Sequence, residues 1–121
     1  MSKNTLHVLD IKTLQDIKKE IRKIGSDPKS IDIMAPKAIS KVIKLENIIL
    51  QDAIIIKQDM LSAGGDVAVP KNTFKLHNKT GDILVIGTLK QLGELVVKLN
   101  RHYPRLKNIA KKLEIVLKDV K

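Results

Sequence analysis

Apolar residues recur at Leu14, Ile17, Ile21 and Ile24, the spacing of one helical face. Thr13, with Asp16 three residues on, marks the start of that helix. Gly25 suits the residue after its end, and Pro28 prevents continuation. Ahead of it, "TLHVLDI" (5–11) sets Leu6 and Val8 against His7, Leu9 and Ile11, a short strand pattern. "SDPKSIDIMAPKAI" (26–39) carries Pro28 and Pro36 and reads as an irregular loop whose Ile31, Ile33 and Met34 dip into the core. "SKVIKLENI" (40–48) places Val42, Ile43 and Leu45 among lysines and predicts a strand.

In "LQDAIIIKQDMLSAGG", positions Leu50, Ala53, Ile54, Lys57, Met60 and Leu61 favour a helix despite three consecutive isoleucines. "DVAVP" and "DILVIG" are short strands, and Pro70 makes the first suited to a sheet edge. "TLKQLGELVVKL" opens with Thr88 and Gln91, a capping box. After Tyr103-Pro104 a last helix carries Leu106, Ile109, Leu113, Val116 and Val120. The order β-α-β-α-β-β-α-α implies one α+β domain over residues 1–121. It would hold a single-layer, mostly antiparallel four-stranded sheet with four helices on one face, ferredoxin-like or a permuted variant.

A chain of 121 residues can bury a core without staples. With no cysteine there is no disulfide framework and no thiolate metal site. The most apolar run, "IILQDAIII" (48–56), falls far short of the roughly 20 residues of a membrane span. The expectation is a soluble cytoplasmic protein.

The net charge of +10 is uneven. Residues 1–60 hold 11 Lys+Arg against 8 Asp+Glu, and residues 61–121 hold 12 against 5. Arg101, Arg105, Lys107, Lys111 and Lys112 lie in an acid-free stretch, a candidate surface for a polyanion. Against nucleic acid stands the shortage of aromatics, Phe74 and Tyr103 alone, which argues against a stacking platform and leaves a backbone binder. A solvated lysine face explains the same residues.

Catalytic signatures are sparse. His7, His77 and His102 have no metal-ligand spacing, and there is no nucleophile elbow. Asp59, on a helix face, and Asp66, at a strand start, do not form a dyad. No metal or cofactor is implied. The "GGD" of residues 64–66 lacks both the P-loop and the dinucleotide pattern. Gly64 most simply supplies the left-handed residue after a helix, with Gly65 freeing the turn.

A second reading concerns an anion or pterin at the helix beginning at Thr88. Gly87 would allow close backbone approach, while Thr88 and Lys90 add a hydroxyl and a charge. Lys57 and Gln58 would join if their helix faces the same cleft. Gly64, Gly65 and Asp66 would join if their turn lies beside Gly87. The plain alternative is a helix cap with no ligand.

The blocks "MAPKA", "KLEN", "KQDMLSAGGD" and "GTLKQ", in this order between residues 24 and 99, resemble the domain placed before the barrel in long-form dihydropteroate synthases of some bacteria and related archaeal proteins. The resemblance implies a link to folate biosynthesis. It carries no catalytic residue over, because the barrel's "NxTPDSF" segment and later Lys and Arg loops have no counterpart here. A barrel also takes roughly 250 residues. Ile49 and Ile54 stand where the family pattern has polar residues, and Ile49 cannot cap a helix. The expectation is therefore a non-catalytic accessory module. It would self-associate as a homodimer through a strand edge or the last helix, or dock on a synthase barrel.

Overall fold

The computed structural model describes residues 4–120. Helix α1 (Leu14–Ile24) begins where expected: the Thr13 hydroxyl accepts a hydrogen bond from the Asp16 amide at 3.1 Å. It ends at Gly25, whose φ of 84° is the left-handed conformation that glycine adopts without strain.

The two prolines expected to keep residues 26–39 irregular instead start helical turns. Pro28 is the first residue of α2 (Pro28–Met34), where the missing N–H costs nothing, and Asp27 caps it through the Lys29 amide at 2.9 Å. Pro36 lies in the 3-10 turn Ala35–Lys37 that follows. Ile31 and Ala35 are buried there, whereas Ile33 is exposed.

Strand β1 (Ser40–Ile49) leads into α3 (Leu50–Ala63). Strands β2 (Asp66–Ala68) and β3 (Thr80–Thr88) follow, then α4 (Leu89–Leu99) and α5 (Pro104–Lys118). The sheet has three strands among the described residues, in the order β1-β3-β2, with both neighbours antiparallel to β3. β1 and β2 therefore run parallel, joined by α3 across the central strand. That is the split β-α-β arrangement of the expected topology without its fourth strand.

The missing strand is "TLHVLDI". Residues 4–12 have no regular structure, and Leu6 and Val8 project into solvent with no strand beside them. Alternation alone does not make a strand when no edge receives it. Helices also number five among the described residues, not four.

Ile49 offers α3 no side-chain cap. The carbonyls of Lys79 and His77 take that place, accepting from the amides of Leu50 (2.8 Å) and Gln51 (2.9 Å). Loop carbonyls thus satisfy the orphan donors that a polar N-cap would satisfy.

Ile83 and Val85 point from β3 into the core, while Leu84 and Ile86 point to the other side, half exposed beside Val42. The buried side packs on Leu50, Ala53, Ile56 and Met60 of α3 and on Leu92, Leu95 and Leu99 of α4. Leu106, Ile109 and Leu113 of α5 close the cluster. Ile56, not Ile54, joins this stripe, so α3 is rotated from the expected face, and Ile54 and Leu61 lie to its side. No helix among the described residues is long and apolar enough to cross a membrane.

Candidate functional site

The two glycine segments meet. Asp66 pairs with Ile86 across the β2–β3 ladder, which lays the 64–66 turn beside Gly87. Together with Ser40, Thr88 and Gln91 they line an open cleft of about 400 Å³. The condition set on Gly64, Gly65 and Asp66 is thus met in space.

The glycines have packing reasons of their own. A Cβ on Gly87 would stand 2.2 Å from the Met60 methyl group. One on Gly65 would stand 2.5 Å from that methyl and 2.7 Å from the Ile86 carbonyl oxygen. The fully buried Met60 fills the space that side chains would need. Gly64, at φ 97°, closes α3.

The amides at the start of α4 are largely engaged. Thr88 donates to Gln91 Oε1 at 2.9 Å, and Gln91 donates back to Thr88 Oγ1 at 3.1 Å, a complete capping box. The Leu89 amide donates to the Ile39 carbonyl at 2.9 Å. Lys90 turns away from the cleft and pairs with Glu94 at 2.6 Å, which holds the Glu94 carboxyl below its usual range. The charge lining the cleft is the Asp66 carboxylate. The Val67 amide and then the Lys57 ammonium hold its pKa low. Such walls favour a neutral polar ligand over an anion.

Lys57 and Gln58 face a different space. Lys57 Nζ reaches Asp66 Oδ1 at 3.1 Å and the Val67 carbonyl at 2.7 Å, so it crosses the end of β2. Beyond it lies a second, more enclosed cavity of about 220 Å³ between α3 and the 69–74 segment, with Ile54, Leu61, Val69 and Phe74 as its apolar wall. Seven of the eight singled-out residues thus surround the short edge strand β2; Lys90 is the exception.

Phe74 and Thr73 were not singled out by sequence reasoning. An aromatic in a chain with two of them was the available signal.

Sequence reasoning also missed a polar cluster. Asp52 is 2% exposed in the first turn of α3. Arg105 grips it with Nε at 2.8 Å and a second nitrogen at 3.0 Å, and the Tyr103 hydroxyl donates to the same carboxylate. The Arg105 guanidinium also lies 4.8 Å from the Tyr103 ring centre. Burial pushes the Asp52 carboxyl up, but the Arg105 and Tyr103 hydrogen bonds and the Arg105 charge outweigh it and leave the pKa lowered. Burial first, then Asp52, raises the Tyr103 hydroxyl. A lone acid inside "IILQDAIII" was the legible sign, since a buried charge needs a partner.

Arg105 is therefore engaged and does not belong with a free basic surface. His102 meets Asp59 at 3.0 Å, an ion pair when protonated. Lys107, Lys111 and Lys112 are exposed along α5, and Arg101 is exposed in the turn before it. No group of three metal-ligating acids or histidines gathers among the described residues.

No protein-family model matches the chain. No solved structure matches it either. A Helicobacter pylori protein described as a bifunctional dihydropteroate synthase/dihydropteroate reductase is 32% identical over 105 residues, covering 87% of this chain. The chain spans 28% of that relative's length. It is a partial and distant relation of dihydropteroate synthase-related proteins.

Proposed function

We propose that this chain is a pterin-binding domain of folate biosynthesis that serves the reductive rather than the synthetic half of its relative. The observation that carries this reading is the fold. Among the described residues it has a three-stranded antiparallel sheet, with nothing of an eightfold parallel barrel, so it corresponds to a part of the relative outside any such barrel.

Size agrees. Since 105 matched residues are 28% of the relative, that protein is roughly 375 residues long. A barrel uses roughly 250 of them. The remainder is close to the 121 residues here. The relative's description joins two activities, and the non-barrel part is the natural seat of the second.

Reducing a dihydropterin adds a hydride to the carbon of a C=N bond and a proton to its nitrogen. The hydride comes from a donor such as a reduced nicotinamide or flavin and the proton from water, so the protein needs no nucleophile, only a site that aligns the ring. The residues present do not fit a dinucleotide phosphate loop: the glycine pattern is absent and three amides at the start of α4 are engaged. The donor is accordingly a co-substrate rather than a resident cofactor.

The test is to incubate the chain with 7,8-dihydropteroate and each reduced donor in turn, following donor absorbance. Protein-dependent and pterin-dependent oxidation is the expected result. Oxidation no faster than the blank with either donor would reject the reading. Dihydropteroate formation by this chain alone is expected to be absent.

A second reading, a domain without turnover that docks on a synthase barrel or on a second copy, is favoured by the open sheet face. Val42, Leu84 and Ile86 there are partly exposed, and the outer edges of β1 and β2 have no partner among the described residues.

A further inference from the structure

Resting on the folate reading, we infer that the slot between α3 and the 69–74 segment is the seat of the pterin ring, with Phe74 as its stacking wall and Gln58 reading the ring's pyrimidine edge. The glycine cleft beside β2 would not hold the ring.

At about 220 Å³ the slot is below the range for drug-sized ligands, roughly 300–1,000 Å³, and suits one fused bicyclic ring. It is the more enclosed of the two cavities around β2. The wall is formed by Ile54 and Leu61, about two helical turns apart on the same side of α3, with Val69 and Phe74 opposite.

Phe74 is 77% exposed, although it is one of only two aromatic residues in the chain. A ring left uncovered beside an apolar slot gains a partner face when a flat heterocycle enters.

The polar side chains in the lining are few: Lys57, Gln58 and Thr73. Gln58 is exposed and its side chain makes no hydrogen bond among the described residues, so its carboxamide can present a donor and an acceptor side by side. The 2-amino-4-oxopyrimidine edge of a pterin offers the complementary pair. Lys57 is already held by Asp66 and Val67. The buried Thr73 hydroxyl donates to the Pro70 carbonyl and holds the turn that presents Phe74. Residues 70–79 carry Lys71, Lys75 and Lys79 and no acid, a suitable field for the benzoate carboxylate of a pteroate.

The experiment is a fluorescence titration with pteroate on the intact chain, Phe74→Ala and Gln58→Ala, alongside backbone amide shifts. Both side chains are exposed, so neither change threatens folding. The expected result is about tenfold weaker binding for Phe74→Ala, a smaller loss for Gln58→Ala, and shifts confined to residues 54–61 and 69–75. Shifts confined to residues 64–66 and 86–88, with Phe74→Ala binding as well as the original, would overturn the placement and leave the folate reading standing. No shift anywhere at millimolar pteroate would sink both.

Discussion

Asp52 shows how one residue can anchor distant chain segments. Its carboxylate ties the start of α3 to Tyr103 and Arg105 at the start of α5, with Arg105 half exposed and Asp52 nearly fully buried. Asp52→Ala should cost roughly 2 kcal/mol: the charge-assisted bonds are lost, but the orphaned Arg105 still reaches water. Urea unfolding would measure it, and a change under about 0.5 kcal/mol would show the cluster to be ornamental.

The pH dependence follows from the lowered carboxyl pKa. The folded state binds this proton less readily than the unfolded state. The contribution is therefore fully present above the ordinary carboxylate pKa of about 3.9 and is lost as pH falls through the lower folded value. The original protein should lose more stability than Asp52→Ala on acidification below about pH 4. Equal losses would contradict the assignment.

At the scale of elements, the local signals that proved legible were those closed within a few residues. The Thr13 cap, the Thr88–Gln91 box and the left-handed Gly25 and Gly64 all bind their own helix ends, so spacing alone reveals them. Where neighbours decide, spacing misled. Pro28 and Pro36 read as breakers yet open helical turns. "TLHVLDI" alternates yet pairs with nothing.

The two glycines beside β2 offer a graded test of packing. Gly87→Ala meets side chains alone, the flexible end of Met60 at 2.2 Å and Gln91 Oε1 at 3.1 Å, and should cost about 1 kcal/mol. Gly65→Ala also meets a backbone carbonyl in the β2–β3 ladder and should cost about 2–3 kcal/mol. Thermal unfolding of the two variants gives the order, and a reversed order would mean that Met60 cannot move.

For the whole molecule, net charge matters less than where charges are engaged. With Arg105 held by Asp52, the exposed cluster on α5 shrinks to Lys107, Lys111 and Lys112. Three phosphate contacts on single-stranded RNA imply a log–log salt slope of about −2. Binding of a labelled RNA should show no steeper slope and should vanish when the three lysines become glutamates. A slope several units steeper would revive the nucleic-acid reading with a larger surface than this helix.

Spacing was enough for most elements and for the inward faces of α4 and α5, because helix period and cap chemistry are written in nearest neighbours. It also placed Gly64–Asp66 and Gly87 as features worth joining. That they do join was decided by the β2–β3 register, a long-range pairing that no local pattern specifies. Tertiary structure likewise turned α3 so that Ile56 enters the core while Ile54, Lys57 and Gln58 face Phe74. Three adjacent isoleucines are equivalent to a pattern of apolar and polar positions. Only the packing of Met60 and Ile56 against the sheet selects among them, because a filled core admits one rotation of the helix and leaves the others to solvent or to a ligand.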